Sequence, residues 1–344
     1  MASVIYLTDN RFGRRAWDHP SARHRCYHYA DALLAVGENS SVVPMESVSV
    51  EMLAGFEHAI FHRPTDNGRF RHALKCCQSA SIQIHADYDD LVFLSEFAEC
   101  SPLFINGNQS IDKVKNQFAR NHRAASCFKN FISSTEYLGT KLQKEFPESL
   151  VSVVPNSLPR LFNAPSINID SNAPLTVGYF PGSKSHAKDF KVIYESLRDL
   201  LIGDIRLLIA GRMDKRDYSG LDNVTYVPFT GYDDYLRMLS MVDLSVAPLV
   251  ENVFNESKSA VKLIESVSVG TPVLATENQD MRDHENSLSV LINHAANWRQ
   301  SLHETLYTAR EMREQHKAAA MELADQYSVK SRLPLLREHL QCAA

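Results

Sequence analysis

The stretch Phe254–Thr276, FNESKSAVKLIESVSVGTPVLAT, places three chemistry-bearing side chains at i, i+4 and i+7: Lys258, Lys262 and Glu265. On a single helix that spacing shares one face. The cations would lie toward the N-terminus, where backbone dipoles by themselves prefer anions. Two lysines beside unpaired first-turn N–H groups make a place for a phosphate-bearing ligand. Taken alone, the three residues are better read as a solvated stripe on a surface helix. The flanking residues predict a helix capped by Asn255 or Ser257, ended by Gly270, and followed by a buried strand in "PVLAT".

Other polar clusters follow apolar, strand-like runs. After "SVIYLTD" comes a loop with Arg11, Gly13, Arg14 and Arg15, then Arg23 and Arg25 at the start of a helix. Arg23 and Arg25 suit a bidentate clamp on phosphate or carboxylate. "HAIFHRP" ends in His62 and Arg63, and "SIQIHADYDD" carries His85, Asp87, Asp89 and Asp90. The acidic turn could hold a divalent cation or orient a sugar hydroxyl and accept its proton. The second role is preferred, since a lysine-lined cleft neutralises a diphosphate without metal. "GYFPGSKSHAKDF" offers the Gly182–Ser183 turn with Lys184, His186 and Lys188 as charge. It has neither the P-loop spacing nor the dinucleotide-binding glycine pattern. No G-x-S-x-G elbow is present either.

These loops need a scaffold, and the composition supplies one. The chain has 344 residues, enough for two domains, with 44% hydrophobic and 22% charged residues, as in globular proteins. A formal net charge of −5 excludes a nucleic-acid partner. No apolar run reaches the ~20 residues of a bilayer span, and the N-terminus lacks the pattern of a secretory signal. Six cysteines without a C-x-x-C pair fit reduced thiols in a cytoplasmic protein rather than zinc or disulfides.

Strand and helix patterns alternate through both halves, which predicts parallel sheets covered on both faces. The expected division is a Rossmann-like domain over 1–158, a linker over 159–173, a second over 174–310, and C-terminal helices over 311–344 returning to the first domain. Helices are expected to break near Tyr327–Ser331 and at Pro334. Two such halves face each other across a cleft, and open parallel sheets bind ligands beyond the carboxyl ends of their strands.

The second half resembles retaining glycosyltransferases of the GT-B fold, family 4 type. Asn255, Lys258, Ser259, Lys262 and Glu265 match the N-x-x-K-S-x-x-K-x-x-E pattern of a bacterial subgroup, followed by "GTPV". Ser257 stands where many relatives carry a first glutamate. "VGYFPGSKSHAKDF" resembles the subgroup's Gly-Ser-x-x-His-x-x-Asp-Phe loop, and "HADYDDLVF" its Asp-Asp-Leu-Phe turn. The resemblance implies an α/β, GT-B enzyme that transfers a sugar with retention from a nucleotide-sugar donor to a glycan or lipid-linked glycan, in bacterial surface polysaccharide assembly. Lys258, Lys262 and the N–H groups of Ser257, Ser259 and Ala260 would hold the diphosphate, with Gly182, Ser183, His186 and Lys188 opposite. Glu265 would accept from the ribose. Arg23, Arg25, His85 and the Asp87–Asp90 turn would shape the acceptor side, with Lys262, Glu265, Asp89 and His85 nearest the chemistry. No metal or other cofactor is expected. Alternatives are a sugar-nucleotide epimerase of the same fold and a non-catalytic two-lobed nucleotide-sugar-binding protein. The basic 110–130 helix, with Lys113, Lys115, Arg120, Arg123 and Lys129, could approach an anionic inner membrane face.

Overall fold

The computed structural model describes residues 3–9, 16–165, 167, 170, 172–201 and 203–343, with no side-chain description for Ala16 and Lys184. Arg11, Gly13, Arg14 and Arg15 lie outside the described residues.

Among the described residues, twelve strands form two six-stranded parallel sheets. The first sheet contains β1 (Val4–Thr8), β2 (Ser40–Pro44), β3 (His58–His62), β4 (Gln83–Tyr88), β5 (Asn130–Ser133) and β6 (Leu150–Val153). Its order is β2-β1-β3-β4-β5-β6. The second contains β7 (Thr176–Tyr179), β8 (Arg206–Gly211), β9 (Val224–Pro228), β10 (Leu244–Ala247), β11 (Val273–Thr276) and β12 (Ser289–Ile292). Its order is β12-β11-β10-β7-β8-β9, so the winding reverses between β7 and β10. Such a reversal leaves a crevice at the carboxyl ends of the two strands.

Side chains alternate across each sheet. In β1, Ile5 and Leu7 join a core with Phe61, Phe70 and Phe118, while Val4 and Tyr6 join another with Ile60 and Leu33. In the second sheet, Val177, Leu207 and Leu244 pack under the helix Trp298–Glu311. Val273 and Ala275 face Leu263, Ile264 and Val267 of the helix Val261–Ser268.

The C-terminal helices divide between the lobes. Arg313–Tyr327 lies on the second lobe, where Ala324 and Tyr327 join the core around Leu263. Val329–Cys342 crosses to the first, laying Val329, Leu333, Leu336 and Leu340 against the helix His28–Ala35 and the sheet. Pro334 lies inside that last helix. It does not break it, because the apolar stripe on both sides is buried and packing outweighs one lost backbone bond. The two crossings lie side by side: Leu158 N–H donates to the Tyr327 carbonyl and Val329 N–H to the Leu158 carbonyl, both at 2.9 Å.

His85 belongs to this framework and not to the cleft. It is fully buried midway along β4, with Nε2 3.1 Å from His58 Nδ1 and Nδ1 2.9 Å from His339 Nε2. His339 Nδ1 in turn lies 2.8 Å from Ser152 Oγ. The strand continues three residues past His85, to Tyr88, so it is Asp89 and Asp90 that emerge at its carboxyl end.

Candidate functional site

The loops at the β7–β10 crevice meet residues of the first lobe. The predicted single helix before β11 is two pieces, Val253–Glu256, capped by the Asn252 side chain, and Val261–Ser268. Residues Ser257 to Ala260 form the turn between them. Lys258 therefore stands in a turn, while Lys262 and Glu265 share the second helix, so the three do not form one stripe. Two of the three amides expected to bind phosphate are already engaged. Ser257 N–H donates to the Phe254 carbonyl at 3.2 Å, and Ala260 N–H donates to the Asp280 carboxylate at 2.6 Å. Asp280 thus caps the helix in place of the predicted Asn255 or Ser257. Burial raises its carboxyl to about 7 against the pull of the Ala260 N–H. At the other end Gly270 has φ +77 and approaches the Lys317 backbone, as the helix stop requires.

Glu265 is 2% exposed and is the centre of an interlobe cluster. One carboxylate oxygen lies 3.2 Å from His24 Nε2 and 3.9 Å from an Arg23 nitrogen. The other accepts from Tyr235 OH at 2.8 Å and lies 3.9 Å from Lys262 Nζ. Burial alone would raise its pKa, but His24, Lys262 and Arg23 together hold it down at about 2. The Arg23 guanidinium also stacks 3.9 Å over the Tyr232 ring. Lys262 is pushed below the usual lysine range by burial, against the pull of Glu265.

A π-helical turn, Arg23–Tyr27, sorts the two predicted arginines into different roles. Arg23 and His24 face the second lobe. Arg25 turns inward, 3% exposed, donating to Asp87 and the Val154 carbonyl. Arg25 is therefore a structural ion pair and cannot clamp a ligand in the cleft, and Asp87 is held by it and by His62 Nδ1 at 2.9 Å.

Asp89 and Asp90 do reach the cleft, bracketed by Arg63. Arg63 pairs with Asp89 and lies 2.7 Å from Asp90. It has φ +45, a rarely populated backbone conformation for a side-chain-bearing residue. Asp89 also accepts from Ser21 Oγ, and Arg63 and His62 hold it well below the usual carboxylate range despite its burial. Asp90 reaches across the cleft to Lys258, 3.5 Å from its Nζ. Among the described residues no group of three or more His, Cys, Asp or Glu side chains is arranged to hold a metal ion.

The loop after β7 is fixed from below and from across the cleft. Gly211, at φ +148, lets the Pro181 carbonyl approach to where a Cβ would lie 2.0 Å from its oxygen. Arg212 N–H donates to that carbonyl at 3.0 Å. Gly182 faces Pro20, and Ser183 pairs with Ser185 through their hydroxyls. The Asn106 amide, from the first lobe, donates to the Ser185 carbonyl and accepts from the Lys188 N–H at 2.8 Å. His186 does not point freely at the cleft: its Nδ1 lies 2.9 Å from Asp189. Asp189, 2% exposed, also accepts from Val250 N–H at 2.9 Å and the Asn255 amide at 3.3 Å. It ties this loop to the one after β10. Lys188 is exposed. Ser259 Oγ accepts from Asn156 at 2.7 Å, and the Ser257 carbonyl from Thr135 Oγ1 at 3.2 Å.

The structure thus gathers Arg23, Asp89, Lys258, Ser259, Lys262, Glu265, Gly182 and Ser183 along one cleft, and excludes Arg25 and His85. Sequence reasoning missed His24, Asn106, Asp189 and Tyr235. Asp189 carried a signal, three residues after His186 on a predicted helix start; the others had none without the fold.

The basic 110–130 segment forms the helix Ile111–Ala125. Its apolar residues Val114 and Phe118 are fully buried in the first core. Lys115 pairs with Glu99 and Arg123 with the Asp66 carboxylate, Arg120 donates to the Asp66 backbone carbonyl, and Lys113 and Lys129 are exposed. Among the described residues no helix is long and apolar enough to cross a membrane.

Residues 175–307 match the profile of a family described as Glycosyl transferases group 1. No curated protein matches the chain. Among solved structures, HepE of Anabaena in complex with UDP-glucose aligns at TM-score 0.65 and 11% identity, covering 99% of this chain and 100% of that one. WaaG, a glycosyltransferase involved in lipopolysaccharide biosynthesis, aligns at 0.62 and 16%, covering 96% and 98%. Sucrose-phosphate synthase from Thermosynechococcus elongatus aligns at 0.67 and 12%, covering 99% and 100%. At these identities the likeness is one of fold, the two-lobed GT-B frame. The chain thus has the two-lobed GT-B fold, and its residues 175–307 are matched by the family of group 1 glycosyl transferases.

Proposed function

We propose that this enzyme transfers a sugar with retention, in the manner of family 4, from a nucleotide-sugar donor to a glycan or lipid-linked glycan of a bacterial surface polysaccharide. The observation that carries the reading is the interlobe cluster around Glu265, with Lys262 and Arg23 beside it and Lys258 on the adjoining turn. A departing nucleoside diphosphate gathers negative charge, and cations already in place stabilise it without reorganisation. Lys258 and Lys262 would take the diphosphate, displacing Asp90 from Lys258. A ribose hydroxyl would replace Tyr235 or His24 at Glu265. UDP is the first donor nucleotide to test, since HepE structures hold UDP and UDP-glucose.

No metal is proposed, because Asp89 and Asp90, the carboxylates of the acidic turn, are paired with Arg63, and Asp90 also with Lys258. Asp89 would orient an acceptor hydroxyl. A cytoplasmic location is supported by six free cysteines, none in a disulfide. The test is thermal unfolding with a panel of nucleoside diphosphates and nucleotide sugars. A ligand at a hundred times its Kd stabilises by about 2.7 kcal/mol. No shift with any member would overturn the donor assignment, and inversion at the anomeric carbon of the product, read by NMR, would overturn retention.

A further inference from the structure

A second opening between the lobes lies beside the cluster just described, on the far side of the loop after β10. It is a cavity of about 400 Å³ at the carboxyl ends of β10, β11 and β12, closed by Tyr137 from the first-lobe helix Glu136–Glu145. Its size falls in the range of small-molecule sites, roughly 300–1,000 Å³.

Its charge is opposite to that of the Lys258–Lys262 side. Three carboxylates line it, Glu251, Glu256 and Glu277, against one guanidinium, Arg282. Arg282 is already taken by Glu277 at 2.7 Å and Glu256 at 4.0 Å. Glu251 is exposed and has no ion-pair partner among the described residues. A phosphate or nucleotide would be repelled here. What such a lining favours is a ligand rich in O–H or N–H donors, since bonds to ionised acceptors are the stronger kind. A second observation points to a missing partner. Asn255 stands on the wall, 3% exposed, and its amide oxygen has no hydrogen-bond partner. Tyr137, half-buried, supplies an aromatic surface for the apolar face of a sugar ring.

We propose that this cavity is a saccharide subsite, which binds an uncharged or amine-bearing sugar unit of the acceptor glycan. That a sugar unit and not another polyol occupies it rests on the glycosyltransferase reading. The wall is also linked to the donor side: the Asn255 amide that faces the cavity donates to Asp189, the residue that holds His186 and the loop after β7. Filling the cavity would therefore stiffen the loop that meets the donor.

The test is saturation-transfer NMR on the intact protein with glucose, galactose, N-acetylglucosamine and glucosamine as probes, with and without saturating UDP. At least one probe is expected to receive transfer that persists with UDP present. Its binding should weaken about tenfold or more in Glu251→Gln, since a hydrogen bond to a charged group is worth that much, and should also weaken in Tyr137→Ala, which removes the aromatic surface. Neither side chain is in a core, and Glu251→Gln serves alone if Tyr137→Ala does not fold. No transfer to any probe, loss of transfer on adding UDP, or unchanged binding in the variants would overturn the subsite. UDP binding is read by calorimetry in the same samples. If UDP binds and no sugar does, the subsite fails and the donor assignment stands; if a sugar binds and UDP does not, the reverse holds.

Discussion

Lys258 Nζ and the Asp90 carboxylate lie 3.5 Å apart, each side chain about one-fifth exposed, and the pair joins the two lobes across the cleft. One residue leaves the carboxyl end of β4, the other stands in the turn before the helix Val261–Ser268. Without ligand, the pair keeps a cation in place where a diphosphate would need it.

A diphosphate and Asp90 compete for the same ammonium. Asp90→Asn should therefore tighten UDP binding severalfold, while Lys258→Ala weakens it by about 10- to 100-fold, the worth of a charged hydrogen bond. Titration calorimetry at two salt concentrations reads both. Equal affinity in both variants would remove Lys258 from the site.

Lys262→Ala deletes a cation from the place where charge develops. The expected loss is about 10²–10³ in kcat, with an unchanged circular dichroism spectrum. Glu265→Gln acts differently, because it leaves Arg23, His24 and Lys262 facing a neutral amide. It should lower unfolding free energy by about 3 kcal/mol, measured in urea. A fully active, fully stable Glu265→Gln protein would refute the role of the cluster.

Asp280 has its carboxyl raised to about 7, and the sign of its pH effect follows. A raised pKa means the native state holds the proton more tightly, so stability is lost as pH climbs from about 4 through 7. Asp280→Asn keeps an acceptor for the Ala260 N–H without the buried charge. It should be more stable than the parent at pH 8, by up to about 4 kcal/mol at 1.36 per unit, with no difference below pH 4. Denaturant melts at the two pH values decide it.

The histidine row under the last helix has the opposite sign. Burial lowers His339 to about 4 and pushes His85 and His58 down as well. Stability held above pH 6.5 should drop as pH falls toward 4, with a slope of about 1.4 kcal/mol per unit for each histidine that gains a proton on unfolding. His339→Leu should flatten that slope by one proton. Amide exchange should show the helix Val329–Cys342 loosening over the same range.

Gly211→Ala puts a Cβ against the Pro181 carbonyl in a conformation few L-residues adopt. The loop carrying Gly182 must shift, and stability should fall by about 1–3 kcal/mol. Nucleotide affinity should drop with it, checked by thermal shift with and without UDP.

Much of this molecule was legible from its residues. The strand-like runs SVIYLTD, HAIFHRP and PVLAT became β1, β3 and β11, because a short apolar run between turn signals is a local property. Gly270 and the Gly182 turn were legible for the same reason, as was the cation-rich character of the stretch before β11. What each charged residue does was decided by tertiary structure. Arg23 and Arg25 are two apart in sequence, yet one turns to Glu265 and the other to Asp87. His85 sits among acidic neighbours in sequence and among histidines in space. Lys258 and Lys262 look like one helical face, but a turn sends the first to Asp90. Pairing energy depends on distance and burial across elements far apart in the chain, and neither quantity is encoded in local spacing. By itself the sequence determined the elements and the chemistry available to them; only packing the two lobes together decided which charges meet and which remain for a ligand.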